Sequence, residues 1–189
     1  MKNCMNSITV IYSNAGDIDC RCLSRIWEGI GNVRVIEITP SSMDWEDEVD
    51  SAIAAEEDTI IFAGHGSSYG LLFPDLYSGE YILHENNVGL IRARNVICIF
   101  CYASSFCERV GLHAFATSMF ISNDREAVDN GIYEYDQDSI NSVGIRFHSE
   151  VNSLLREGVN INEWVMRLGA HMDIENAVDV FNRQCLWYD

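Results

Sequence analysis

The 189-residue chain is 48% hydrophobic, holds only two prolines and carries a formal net charge of −17. This composition fits one globular domain, residues 1–189, with a sizeable core, and argues against a disordered chain. The negative charge argues against nucleic acid as a partner, and no apolar run reaches membrane-spanning length.

Residues 1–7 are polar and lead straight into a strand, so no signal peptide is expected. Seven cysteines, an odd count in a chain of this size, argue against a disulfide framework and for a reducing, cytoplasmic setting.

Ile8 to Tyr12 reads as the first strand. Asp17 or Asp19 then caps a helix with Leu23, Ile26, Trp27 and Ile30 on one face, closed by Gly29 and Gly31. Val33 to Ile38 is the second strand. Trp45, Val49 and Ile53 stripe a helix whose other face is acidic. Thr59 to Ala63 is the third strand, uncharged and without alternation, as in a parallel sheet covered on both faces. Segments Tyr69 to Phe73 and Glu80 to His84 read as a small hairpin, followed by a short helix near Asn86 to Ala93.

Val96 to Phe100 is the fourth strand. Ser104 or Ser105 caps the helix after it, and Phe115 to Ser122 is the fifth strand. Asn123 to Ser142 is polar and lacks a clear period, which predicts a mobile loop, either a lid or a site of activating self-cleavage. Phe147, Val151, Leu154 and Leu155 form a helical face ended by Gly158. Two shorter helices follow, around Trp164 to Leu168 and Ile174 to Phe181. Alternating strands and helices predict an α/β three-layer sandwich with a mainly parallel sheet.

In such sheets the working residues lie just past the carboxyl ends of the strands. His65 follows the third strand and Cys101 the fourth, so both fall on one rim as a Cys–His dyad. A thiol is nucleophilic as thiolate, and an imidazole or a helix N-terminus promotes that form. Gly66 lets its backbone N–H approach a developing oxyanion.

Other chemistries fit less well. Gly66-Ser67-Ser68-Tyr69-Gly70 matches the spacing of a serine-hydrolase elbow with Ser68 as nucleophile. The helix the elbow requires is replaced by a strand-like run broken at Pro74. A phosphate-binding loop after Cys101 would need an arginine where Cys107 stands. Cys20–Cys22 and Cys98–Cys101 lack a second pair, so no metal is expected. His84, His113, His148 and His171 have no partner visible in the sequence and read as surface or core groups.

The blocks Ile60-Ile61-Phe62-Ala63-Gly64-His65-Gly66 and Val96-Ile97-Cys98-Ile99-Phe100-Cys101-Tyr102-Ala103-Ser104 resemble the caspase-like cysteine peptidases: caspases, metacaspases, legumain, gingipain, clostripain and separase. A third block, Met119 to Ala127, resembles the strand and loop that these peptidases place beside the P1 pocket. The resemblance implies strand order 2-1-3-4-5, with a possible sixth strand, and a hydrolase cleaving peptide bonds. Cys101 would be the nucleophile and His65 the general acid–base. The backbone N–H groups of Gly66 and Cys101 would bind the oxyanion, and Ser122, Asn123 and Asp124 the substrate. Several of these peptidases carry an acidic residue just before the Cys or His, where Phe100 and Gly64 stand here, so the P1 preference stays open. Asp124 or Glu126 could supply that charge, and Arg or Lys is expected at P1 if Asp124 faces the pocket.

No cofactor is implied. The implied partners are a peptide or protein substrate and a regulatory protein or second copy. A non-catalytic interaction module of the same fold and a Ser68 hydrolase remain the alternatives.

Overall fold

Among the described residues of the computed structural model, 7–75 and 77–189, nine strands form two sheets. Residues 1–6 of the polar N-terminal stretch, with Cys4, lie outside the described residues. The strands are β1 (Ile8–Ser13), β2 (Val33–Ile38), β3 (Thr59–Ala63), β4 (Gly66–Ser67), β5 (Gly70–Leu72), β6 (Tyr81–Leu83), β7 (Asn95–Ile99), β8 (Phe115–Thr117) and β9 (Leu186–Tyr188). The main sheet has the order β2-β1-β3-β7-β8-β9 and is parallel except for β9. The labels jump from β3 to β7 because β4, β5 and β6 leave to form an antiparallel sheet of their own.

The helices are α1 (Ile18–Arg21), α2 (Trp45–Ala55), α3 (Ala103–Val110), α4 (Asp124–Asp129), α5 (Gln137–Glu157), α6 (Trp164–His171) and α7 (Ala177–Gln184). They cover both faces of the main sheet. Alternation along β3 sends Ile60 and Phe62 into one core with Val49 and Ile53 of α2 and Phe106 of α3. Ile61 and Ala63 enter the opposite core with Phe147 and Val151 of α5 and Trp164 of α6. Full burial of each large apolar side chain contributes about 2 kcal/mol, so an uncharged strand is stable only between two covered faces. Among the described residues, no helix is long and apolar enough to cross a membrane.

Several elements differ from expectation. The single helix expected from Asp17 to Ile30 is the one-turn α1 followed by a 3₁₀ turn, Leu23–Ile26. Leu23 and Ile26 are still buried, and Gly29 turns the chain at φ +64°. The short helix near residue 90 is a 3₁₀ turn, Val88–Leu90. The expected two-stranded hairpin has a third strand, β4, because Gly66 and Ser67 pair antiparallel with Leu71 and Gly70.

Neither Ser104 nor Ser105 caps α3. Its N-cap is Tyr102, at φ +62°, because the chain turns so tightly after β7 that the Ala103 amide already bonds the Phe100 carbonyl. The fifth strand stops at Thr117, where the Ser118 amide turns to the Cys185 carbonyl.

The region expected to be a mobile loop is largely helical. Asn123 caps α4 through the Glu126 amide, and Asp136 caps α5 through the Ser139 amide. Their apolar residues, Ala127, Ile140 and Val143, are too sparse to show a period. They pack with Ile121 and Val178 in a third core. Only residues 130–136 connect the two helices.

Candidate active site

The carboxyl ends of β1, β3 and β7 meet on one rim, because β3 pairs with both neighbours in parallel register. Past these ends stand Asp17, His65 and Cys101. Two glycines permit the close approach. Gly64 has φ +146°, and a Cβ there would lie 2.6 Å from the Ser13 Cβ and carbonyl oxygen. A Cβ on Gly66 would lie 2.1 Å from the Phe100 ring, the residue before Cys101. The third strand's exit is therefore packed directly on the loop that carries the thiol.

His65 and Cys101 line one cavity of about 80 Å³. His65 Nε2 lies 2.5 Å from Asp17 Oδ2. The other Asp17 oxygen accepts from the Cys20 amide at 3.0 Å, capping α1. Burial would raise the Asp17 carboxyl, but the Cys20 N–H and His65 outweigh it and hold it below the usual carboxylate range. Asp17 is therefore an anionic, doubly anchored support for the imidazole. The sequence reading gave it only the role of a cap.

Cys101 sits two residues before α3, yet its thiol is not poised as a thiolate. Burial and then the Glu126 carboxylate push it up to about 11, against one backbone hydrogen bond from Phe120. Asp19 adds to the rise.

Of the three expected substrate-binding residues, Ser122 lines the cavity, whereas Asn123 and Asp124 do not. Asn123 caps α4 and donates to Asp19 Oδ2 at 3.1 Å. Asp124 is exposed at the first position of α4. The carboxylate facing the cavity beside Ser122 is Glu126, whose Oε2 accepts from the Ser122 amide and hydroxyl at 2.8 and 2.9 Å. Asn182 on α7 fixes the same segment, exchanging hydrogen bonds with the Ile121 backbone N–H and carbonyl.

His148, expected at the surface or satisfied in the core, lines this cavity from α5. It is 7% exposed, and its Nδ1 has no partner. Burial pushes it down to about 4, with the Cys22 carbonyl opposing, so it stays neutral near pH 7. Asp19 Oδ1 is likewise buried without a partner. None of the residues lining the cavity is a lysine or arginine.

The remaining motifs resolve simply. Ser68 lies in the turn between β4 and β5 with no helix after it, so the elbow geometry is absent. Cys98 is buried next to Cys107. The described cysteines are all free. Asp17, Cys20 and His65, which no sequence spacing singled out together, bring one ligand-type atom each within 4.8 Å of one another.

No protein-family model matches the chain, and no curated protein is significantly similar to it.

Proposed function

We propose that the chain is a caspase-like cysteine endopeptidase, with Cys101 as nucleophile and His65 as general acid–base. The observation that carries this reading is the convergence of Cys101 and an Asp17-supported His65 on one cavity at the ends of adjacent parallel strands. The main sheet supports it further, with β1 between β2 and β3, and β7, whose carboxyl end leads to Cys101, next to β3.

Asp17 engages Nε2, so Nδ1 is the nitrogen left to exchange protons with Cys101. The thiol proton passes to His65 as sulfur attacks the scissile carbonyl carbon. His65 then protonates the departing amine, leaving a thioester. Water attacks the thioester, His65 takes its proton and returns it to sulfur, and the acid product leaves. The backbone N–H groups of Gly66 and Cys101 are assigned to the oxyanion.

The substrate side chain beside Cys101 is an arginine or lysine. Asp19 Oδ1, His148 Nδ1 and Glu126 offer acceptors, and the first two are buried and unpaired. A cation there satisfies them and offsets the Glu126 and Asp19 charges that, after burial, raise the Cys101 thiol.

The raised Cys101 thiol is the one observation favouring a non-catalytic interaction module instead. Labelling with peptide acyloxymethyl ketones that vary at P1, read by mass spectrometry, separates the two. A peptidase is modified at Cys101 by the Arg or Lys probe and not in His65→Ala. Folded protein that none of the probes labels at Cys101 is not one.

A further inference from the structure

We propose that Asp17, Cys20 and His65 form a site for a thiophilic divalent cation, zinc above all, whose binding withdraws His65 from catalysis. The inhibitory half rests on the peptidase reading; the binding half does not.

The three donor atoms lie within 4.8 Å of one another and are a carboxylate oxygen, a thiol sulfur and an imidazole nitrogen. That mixed set suits zinc, whereas magnesium and calcium take oxygen ligands alone. The set is prepared by its surroundings. Asp17 Oδ1 is held by the Cys20 amide, which leaves Oδ2 for an ion. The Cys20 carbonyl accepts from the Tyr12 hydroxyl at 2.8 Å, fixing the turn that aims the sulfur. Such supporting hydrogen bonds orient ligands in metal sites.

Cys20 is fully buried, but the Asp17 and His65 side chains are 37% and 22% exposed, so an ion reaches the sulfur from their side. The 2.5 Å between His65 Nε2 and Asp17 Oδ2 is shorter than two ligands on one zinc allow. Binding therefore opens that pair by about 1 Å. The Cys20 sulfur gives its proton to solvent as the zinc–sulfur bond forms, and water completes the coordination. Any proton on His65 Nε2 moves to Nδ1. The imidazole then has no free lone pair with which to accept the Cys101 proton. The ion and the catalytic cycle thus compete for one side chain.

The test uses the full chain carrying Cys101→Ser, reduced and stripped of metal, titrated with cobalt(II) as a spectroscopic stand-in for zinc. The expected result is a thiolate-to-cobalt charge-transfer band that saturates at one ion per chain and is displaced by zinc. Cys20→Ser removes the band. Asp17→Asn, which keeps the thiol and can still cap α1, weakens binding at least about tenfold. A folded chain without the band overturns the site, and so does a band that survives Cys20→Ser.

With Cys101 intact, zinc at the concentrations that displace cobalt stops peptide cleavage. Cobalt binding as described in a chain that cleaves no peptide upholds the site and removes the peptidase reading. Cleavage that continues under saturating zinc overturns the inhibitory role.

Discussion

His65 Nε2 and Asp17 Oδ2 stand 2.5 Å apart across 48 residues of sequence. The contact exists because β1 and β3 are parallel neighbours that end on the same rim. It fixes the imidazole by one nitrogen, and in the mechanism proposed above the other nitrogen serves the thiol.

Asp17→Asn therefore tests the proposed peptidase activity apart from folding. Asparagine caps a helix as well as aspartate does, so α1 should survive and the melting temperature should change little. The loss of charge behind His65 should lower kcat by about 10²-fold or more, with KM nearly unchanged. Wild-type kcat in a folded Asp17→Asn variant would show that the contact does not serve the reaction.

The raised Cys101 thiol sets a pH dependence. Because its value is about 11, the reactive thiolate is the minor form at neutral pH and gains population as pH rises. Alkylation of Cys101 by iodoacetamide should climb about tenfold per pH unit through the neutral range and level off only near 11. A small guanidinium ligand such as agmatine should accelerate it at pH 7 by occupying the acidic cavity. A rate that is already flat at pH 7 would reveal a preformed thiolate–imidazolium pair instead.

Glu126→Gln keeps an acceptor for the Ser122 amide and hydroxyl but removes the charge. The variant should lose most of its preference for Arg and Lys probes over neutral ones. Cys101 should also react faster with iodoacetamide at pH 7, because one cause of its raised value is gone. Measuring both in one preparation checks the link, since a merely structural Glu126 would change neither in this direction.

Gly66→Ala places a Cβ 2.1 Å from the Phe100 ring. Phe100 is 3% exposed and has no room to yield, so the substitution should cost about 1–3 kcal/mol and shift the loop bearing Cys101. Thermal unfolding gives the first effect and probe labelling the second. Unaltered stability would mean that β3 and the β7 loop are not packed against each other at this point.

Much of the site is legible in the sequence, because buried parallel strands announce themselves. Thr59 to Ala63 and Asn95 to Ile99 lack charge and alternation, and the residues just past them are His65 and Cys101. Asp17 was within reach of the same logic, since it follows the first strand, but its capping role explained it locally. Glu126 and His148 carried weaker signals. Glu126 sits in a stretch too polar to show its helix, and the burial of His148 depends on α5 packing over the rim.

The sequence by itself determined the alternation of strands and helices, the covered sheet and the placement of His65 and Cys101 past adjacent strand ends, because local apolar pattern and chain turns encode these directly. The tertiary structure alone decided the Asp17 contact with His65, the choice of Glu126 over Asp124 and the addition of Asp19 in the acidic lining, the unpartnered Nδ1 of His148 and the raised Cys101 thiol. Each of these depends on which strand ends and helices lie side by side and on how far they exclude water, and neither is a local property of the chain.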